Sequence, residues 1–254
     1  MGREVFDEIL KTIENDDMRE FAEMCLDTVP QYFYTVPASS SGKYHPTYAL
    51  GDGGLVRHTL ALLRFMNHIF SLDCIRDKYN SRDRDMMKIA ALMHDTQKSG
   101  TQEDYEKNKY TKFDHPDLAA NAVYHVYINH QDQLKVEPGE VNIICSAIAS
   151  HMGQFNTDKR NPGIVLPTPS SDEEIIVHVC DYLASRKDIE VKFNEEAAPP
   201  ATKPEIPDIN TWIIPFGKYS GKTLVEVNAE NPGYIKWAKE NISKEPFHTL
   251  VNQL

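Results

Sequence analysis

The chain has little of what marks a secreted or membrane-spanning protein. Its four cysteines (Cys25, Cys74, Cys145 and Cys180) form no CxxC pair, which argues against a zinc knuckle and favours buried thiols in a reducing compartment. No apolar run approaches the ~18 residues of a membrane span. The opening residues MGREVFDEIL lack the apolar core of a signal peptide. These absences predict a cytoplasmic protein without a membrane partner.

Basic charge is also scarce. The 254 residues contain 27 Lys and Arg against 38 Asp and Glu, a net charge of −11, which argues against a broad phosphate-binding surface. The last 44 residues differ, because five lysines against four glutamates give them a net charge of +1 and leave −12 for the first 210. Any nucleotide or nucleic acid must therefore be bound locally, at a metal site or a small basic patch.

Apolar residues recur at helical spacing through most of the chain, which predicts an all-α helical bundle. Ser171-Asp172-Glu173-Glu174 has the pattern of a capping box that opens a helix. Helices are expected over residues 55–72, 83–97, 116 onward and 141–151, and polar loops over residues 100–114 and 154–170. Long loops inside a compact domain tend to be functional or mobile.

A proline-rich stretch divides the chain. Residues 194–210 contain four prolines and few apolar residues, which predicts a linker between a helical domain (1–193) and a small module (211–254). The extended start TWIIPF and an amphipathic helix over 233–242 predict a small α+β fold for the module. Its mini-core is expected to contain Phe216, Tyr219, Leu224, Tyr234 and Trp237, while Lys218 and Lys222 are candidates for holding single-stranded nucleic acid.

The adjacent pair His94-Asp95 closes the apolar run MMKIAALMHD. Aspartate is seldom fully buried without a partner, and a divalent metal is the usual partner that makes such burial tolerable. Similar junctions carry four further candidate ligands, which are His58, His115, His151 and Asp181. One such histidine is more often a satisfied core residue, but inward groups recurring on several helices favour a metal site. Four imidazoles and two carboxylates suit one or two first-row transition metals.

Three segments in order, GGLVRHTLAL, ALMHDTQKSG and VHVCDYLASR, resemble the HD-domain metal-dependent phosphohydrolase superfamily over about residues 30–190. One departure is Gln97, where the family more usually has glycine. The segment that leads into the first-histidine helix, PAS...YHP...GGLVRHT, most resembles bacterial HD-domain 3′→5′ exoribonucleases and phage-encoded HD hydrolases. The tail, PFGKYSGKTLVEV...NPGYIKWAKENI, resembles a small C-terminal module found beside exonuclease domains.

The resemblance implies a metal site made of His58, His94, Asp95 and Asp181, with His115 and His151 matching the ligands of a second metal. Asp95 would bridge two divalent ions, which Mn, Fe, Co, Ni, Zn or Mg could supply. A metal-activated hydroxide would attack phosphorus, and Lys98 would meet the charge that develops on the phosphoryl oxygens. A mononuclear site, with His115 and His151 contacting the substrate instead, stays open.

Several other side chains are candidates for substrate contacts. They are Lys43, His45, Arg160 and Arg186, predicted near the mouth of the site, although charged surface groups are usually just solvated. Tyr44 and Phe155 are candidates for stacking on a base. His178 is either a second layer around Asp181 or an interior histidine.

The leading interpretation is a metal-dependent phosphohydrolase that cleaves a phosphoester of a nucleotide or single-stranded oligonucleotide, in the manner of a 3′→5′ exonuclease. The acidic surface leaves a nucleotidase or cyclic-nucleotide phosphodiesterase as an alternative. A nucleotide-sensing regulatory protein is the alternative from another class, and it predicts an incomplete ligand set. The set here looks complete, which favours an enzyme; the sequence makes no prediction of oligomeric state.

Overall fold

A computed structural model describes residues 2–39, 45–189, 207–242, 244 and 246–254. Over these residues the chain is mostly helical, and its only β-structure is two isolated bridges, Thr157 with Val165 and Ile213 with Thr223. The chain divides into two compact units, Met1–Thr202 and Lys203–Leu254. Their boundary falls within residues 194–210, the predicted linker, of which 194–206 lie outside the described residues.

The first unit is a helical bundle, as the apolar periodicity predicts. Its helices are α1 (Asp7–Leu10), α2 (Asp16–Asp27), α3 (Gly54–Ser71), α4 (Asp73–Arg76), α5 (Ser81–Met93), α6 (Gln102–Lys107), α7 (His115–His130), α8 (Pro138–Ser150) and α9 (Asp172–Ala184). Helices α3, α5, α8 and α9 pack against one another, and α7 packs on α8. One apolar cluster fills the space between them.

The start of α3 is held close to the segment that precedes it. A side chain on Gly54 would collide with the Ala49 carbonyl oxygen, so glycine is required for this approach. The Arg57 guanidinium is buried and donates hydrogen bonds to the carbonyl oxygens of Leu50 at 2.7 Å and Asp52 at 2.9 Å. These contacts fix the loop before α3 against the helix turn that carries His58.

Helix α5 begins at a capping box between Asn80 and Asp83 and is anchored by a buried carboxylate. Asp85 accepts hydrogen bonds from the backbone N–H groups of Glu14 at 3.1 Å and Asn15 at 2.8 Å. The helix was expected to reach Gln97, but it ends at Met93. Tight turns follow, because the N–H groups of residues 96 and 98 bond to carbonyl oxygens three residues earlier.

The capping box predicted at the start of α9 is confirmed. The Ser171 hydroxyl accepts a hydrogen bond from the Glu174 N–H at 3.2 Å. The Glu174 carboxylate also accepts a hydrogen bond from the Ser146 hydroxyl at 2.6 Å, which joins α9 to α8. The prediction of a polar loop over residues 100–114 is wrong, since α6 forms there behind a second capping box of Thr101 and Asp104.

The second unit has helices α10 (Leu224–Glu230), α11 (Pro232–Asn241) and α12 (Phe247–Val251). Its apolar cluster includes Leu224 and Phe247. The α+β character predicted for the module is not confirmed, because the single bridge between Ile213 and Thr223 is its only β-structure among the described residues. Trp237 was expected in the mini-core, but 51% of its surface is exposed.

Neither unit contains a helix that combines the length and the apolar character needed to cross a bilayer, over the residues that the structure describes.

Candidate metal centre

The six predicted ligands come together inside the first unit. Ring centroids are 5.5 Å apart for His58 and His94, 4.9 Å for His94 and His151, and 5.3 Å for His151 and His115. All four imidazoles are buried. They come from α3, the turn after α5, the start of α7 and the turn after α8, so packing of the bundle brings distant parts of the sequence to one point.

Asp95 lies between two groups of histidines. Its Oδ1 is 2.9 Å from His115 Nε2 and 3.7 Å from His151 Nε2. Its Oδ2 is 3.5 Å from His94 Nε2. The two oxygens of one carboxylate therefore approach different imidazoles.

Asp181, from α9, contacts the other side of the cluster. Its Oδ1 lies 2.9 Å from His58 Nε2 and 3.7 Å from His94 Nε2. Three sets of three ligand atoms each lie within 4.8 Å of one another, and these sets share Asp95, His94 and His151. Asp95 belongs to two of these sets, one with His58 and His94 and the other with His115 and His151, and Asp181 belongs to the third.

The backbone fixes the tautomer of three of these histidines. The Nδ1 atoms lie 2.8 Å from the Ala91 carbonyl oxygen for His94, 2.7 Å from that of Lys112 for His115, and 2.7 Å from that of Ile148 for His151. Because a carbonyl oxygen only accepts, each Nδ1 carries a proton, and Nε2 is the ring atom of each histidine that faces the carboxylates.

A lone pair facing a carboxylate oxygen needs a cation or a further proton between them. His94 Nε2, Asp95 Oδ1 and His115 Nε2 are among the buried atoms of the described residues that lack a hydrogen-bond partner. Imidazole and carboxylate donors arranged in this way suit a first-row divalent ion, and the Nδ1 contacts are the usual means of orienting metal-binding histidines. The residues present therefore fit such a metal.

Comparison with known families matches the model of the HD domain to residues 56–186, just over half of the chain. The chain belongs to the HD domain family. A second model, the exodeoxyribonuclease X-like C-terminal family, matches residues 214–243. No curated protein and no solved structure matches the chain.

Both resemblances seen in the sequence are thereby confirmed: an HD phosphohydrolase domain, followed by a module found beside exonuclease domains. The protein is in general terms a metal-dependent hydrolase of the HD class.

The carboxylates of the HD domain stay ionised despite their burial. Burial alone would raise the pKa of Asp95, but the Lys98 ammonium and the neighbouring histidines lower it well below its usual range. Burial acts in the same direction on Asp181, but its hydrogen bond to His58 and the charges of His58, His94 and His151 together outweigh burial, so the pKa of Asp181 is also lowered. Two negative charges therefore stand inside the domain, available to a cation.

The imidazoles of the HD domain do not all titrate alike. Burial lowers the pKa of His151 to about 3, and the charge of His94 adds to this effect, so His151 is neutral at neutral pH. For His94, burial is outweighed by Asp95 and Asp181, which together raise its pKa. A cation placed between His94 and these carboxylates would take over the role of the second proton.

Lys98 and His45 border the centre. The Lys98 ammonium forms an ion pair with Asp95 Oδ2, and its side chain is mostly buried. The His45 ring centroid is 5.6 Å from that of His58. Burial, with the charges of His58 and Lys98, lowers the pKa of His45 to about 3, so the ring is neutral at neutral pH.

The other predicted substrate contacts are not drawn into the cluster. Arg160 is exposed, and Arg186 is exposed with its guanidinium 5.1 Å from the Tyr182 ring. Neither contacts the six ligands within the described part of the chain, and Phe155 is 57% exposed. Lys43 and Tyr44 lie outside the described residues. All of these assignments stay predictions.

His178 has a role that sequence reasoning did not find. Its Nδ1 lies 2.7 Å from the backbone oxygen of His151 rather than beside Asp181. A side chain on Gly153, which has a φ of 53°, would collide with the His178 ring. The Gly153 turn and His178 therefore fit together and hold the end of α8, where His151 lies; the His-Met-Gly sequence after an apolar helix is the one signal that could have indicated this.

Proposed function

We propose that the HD domain binds two divalent metals and hydrolyses a phosphoester of a single-stranded oligonucleotide, removing nucleotides in the 3′→5′ direction. The position of Asp95 supports the number of metals proposed. Its Oδ1 approaches His115 and His151 while its Oδ2 approaches His94, the arrangement of a carboxylate that bridges two ions. His58, His94 and Asp181 would complete one site, and His115 and His151 the other.

When bound, such ions supply the positive charge that activates water and stabilises the phosphoryl oxygens. The chain provides the rest. Asp95 holds the two halves of the centre at a fixed separation. Lys98, beside Asp95, donates to a phosphoryl oxygen on which negative charge develops. Neutral His45, beside His58, offers an N–H to the departing or entering group.

The second unit supports an oligonucleotide as the substrate. Its family match is to a C-terminal domain of exodeoxyribonuclease X-like proteins. An aromatic row leads to its surface: Tyr219 and Tyr234 have ring centroids 4.6 Å apart, and Tyr234 and Trp237 are 5.6 Å apart. The Lys218 ammonium lies 5.3 Å from the Tyr219 ring. Tyr219 is itself buried, and Trp237 is the exposed ring of this row. An exposed aromatic ring on a surface that also carries lysines is how proteins hold unpaired bases without reading sequence.

A nucleotidase or cyclic-nucleotide phosphodiesterase is the second candidate. It is favoured by the net charge of −12 on residues 1–210, which is unfavourable for a long polyanion. A nucleotide sensor would need no complete centre, and six convergent ligands argue for catalysis instead.

A metal-by-substrate screen tests the proposal. Purified protein with Mn²⁺, Co²⁺, Ni²⁺, Zn²⁺, Fe²⁺ or Mg²⁺ is assayed on a single-stranded oligonucleotide, a cyclic nucleotide and a mononucleotide, with Asp95→Ala as the control. We expect stepwise shortening of a 5′-labelled oligonucleotide. Hydrolysis of the mononucleotide or cyclic nucleotide alone would select the second candidate, and no hydrolysis with any ion would favour a sensor.

The metal count has its own test. Elemental analysis of protein loaded and freed of excess ion is expected to give two metals per chain, falling to one in His115→Ala. One metal per chain, unchanged by that substitution, would contradict the dinuclear centre.

A further inference from the structure

A pocket opens beside Lys98, and none of the six candidate metal ligands lines it. Its volume is about 200 Å³, and its walls include Val36, Pro37, Tyr105 and Lys109 as well as Lys98. Because the Lys98 ammonium pairs with Asp95, this pocket borders the metal centre directly. Neither Tyr105 nor Lys109 has a role in the hydrolysis proposed for the metal centre.

The wall that carries these two residues is fixed at its base. The Lys112 N–H donates to the Lys98 carbonyl oxygen at 2.8 Å. This hydrogen bond joins the two ends of the segment that contains α6. Tyr105 stacks on Tyr32 with ring centroids 4.5 Å apart. The Tyr32 hydroxyl is buried and donates to the Gly100 carbonyl oxygen at 2.7 Å. These contacts hold the wall of the pocket in place.

The chemistry of the walls favours an anion. Lys109 supplies a positive charge, with its ammonium 5.6 Å from the Tyr105 ring, and Lys98 also lines the pocket while its own ammonium pairs with Asp95. Among the described residues that line the pocket there is no carboxylate. Ligand pockets for whole small molecules measure about 300–1,000 Å³. A pocket of about 200 Å³ is therefore suited to one part of a ligand, such as a sugar with its phosphate.

We propose that this pocket binds the phosphate and sugar next to the scissile phosphate, so that the preferred ligand carries at least two phosphodiester groups. Lys98 lies between the two phosphates and Lys109 contacts the second one. The inference rests on the proposed function, because it takes the scissile phosphate to lie at the metal centre. It makes Lys109 a specificity-determining residue that senses whether a second phosphate is present.

The test compares two substrates that differ by one phosphate. The dinucleotide UpU has one phosphodiester and the trinucleotide UpUpU has two. We expect Lys109→Ala to lower kcat/KM for the trinucleotide about fivefold, the order of one partly exposed charge contact, and to leave the dinucleotide unchanged. Lys109→Arg should restore most of the loss. Lys107→Ala, an exposed lysine at the end of α6 that does not line the pocket, is the matched control.

The possible failures are distinguishable. An equal loss on both substrates, or the same loss in Lys107→Ala, would overturn the pocket as a phosphate site while leaving the proposed function intact. A wild-type protein that hydrolyses mononucleotides but neither of these substrates would overturn the oligonucleotide function, and with it this inference.

Discussion

The two units of the protein bury different chemistry. In the first unit the interior contains charged and polar side chains, including Arg57, Asp85 and Asp95 as well as the four histidines of the centre. In the second, the buried side chains of the described residues are apolar or aromatic, and the lysines and Trp237 lie at its surface. One unit thus holds its titratable groups inside a bundle, and the other displays its lysines and Trp237 on a small apolar core.

The difference matters because buried polar groups are costly unless they are paired. The first unit tolerates its interior because these groups form hydrogen bonds and ion pairs, and a bound cation would pair the donors that remain. Among its described residues the second unit buries no charged side chain, and it can lose a surface group without loss of fold. Substitutions and ligands should therefore act on stability and chemistry together in the first unit, and on binding alone in the second.

Among the substitutions, Asp95→Asn in the first unit should have the strongest effect on hydrolysis. The amide keeps the shape of the side chain but removes the charge shared by both groups of histidines, so hydrolysis should fall by about 10³-fold or more. Initial rates under saturating Mn²⁺ measure it. Asp117→Asn, at an exposed aspartate in the first turn of α7, is the matched control and should retain activity. Near-normal rates in Asp95→Asn would contradict the proposal that hydrolysis requires the Asp95 carboxylate.

Metal addition should stabilise one unit and not the other. An ion that binds only the folded first unit, at a free concentration 100 times its Kd, adds about 2.7 kcal/mol to that unit's free energy of unfolding. Both tryptophans of the chain, Trp212 and Trp237, belong to the second unit, so their emission follows it alone. We expect Mn²⁺ to raise the thermal midpoint recorded by far-ultraviolet circular dichroism and to leave the tryptophan midpoint in place. Equal shifts of both midpoints would show that metal binding does not stabilise the first unit alone.

His178→Ala tests the positioning of His151. Loss of the contact to the His151 backbone frees the turn at the end of α8, and outer contacts of this kind typically account for 10–100-fold in metal affinity. The Kd for Co²⁺, followed by its visible absorption, should rise within that range while the helical content stays the same. His125→Ala, at an exposed histidine of α7, should leave the Kd unchanged. If the two variants behave alike, His178 has no positioning role.

Trp237→Ala should weaken binding without affecting the catalytic centre. Stacking of one base on an aromatic ring contributes about 1–3 kcal/mol, so the affinity for labelled oligo(U) should fall at least about fivefold. Fluorescence anisotropy measures this loss, and hydrolysis of UpU, which is too short to depend on the module, should be preserved. Val225→Ala removes another half-exposed apolar side chain of the second unit and serves as the control. Unaltered oligonucleotide affinity would contradict the stacking surface.

The smallest effect concerns an ion-pair network on the first unit. Arg82 donates to Asp17 at 2.7 Å and to Glu140 at 2.8 Å. Its hydrogen bond lowers the pKa of Glu140, and its contacts outweigh the effect of burial and lower that of Asp17. Carboxyl groups with lowered pKa stabilise the fold above their unfolded pKa of about 4, and that contribution is lost as pH falls through the folded pKa.

Arg82→Ala should therefore cost about 1 kcal/mol at pH 7, and its deficit should shrink below about pH 4. Urea unfolding at pH 7 and pH 3, followed by circular dichroism, checks this difference. The tryptophan transition of the second unit should not respond to the substitution. A deficit that stays constant with pH would mean that lost packing, not charge, accounts for it.

Much of the first unit follows from its sequence because local and tertiary signals agree there. Apolar periodicity located the long helices, the Ser171 capping box formed as expected, and His94-Asp95 lies at a helix end with both side chains buried. The helix α6 was missed because its short polar sequence has no apolar face, although Thr101 and Asp104 carry the capping signal. Trp237 was misassigned to the core, since helical spacing places a residue on a face without saying whether anything covers it.

The partners of the site were harder to foresee than its ligands. Ligand types and their order are readable from the chain, but His178 meets His151 and Tyr105 meets Tyr32 only through tertiary packing. The identity of the substrate depends on such contacts. It therefore requires the pocket and the module surface to be tested directly.

The contacts that orient the histidines have a consequence for how the protein tolerates mutation. His94, His115 and His151 are each oriented by a main-chain carbonyl three residues earlier, and a change of side chain at those positions leaves the carbonyl in place. His58 is the exception, since its Nδ1 is buried with no hydrogen-bond partner among the described residues. Sequence changes near His94, His115 and His151 should leave these three rings oriented, whereas changes near His58 should be the first to disturb the candidate metal ligands.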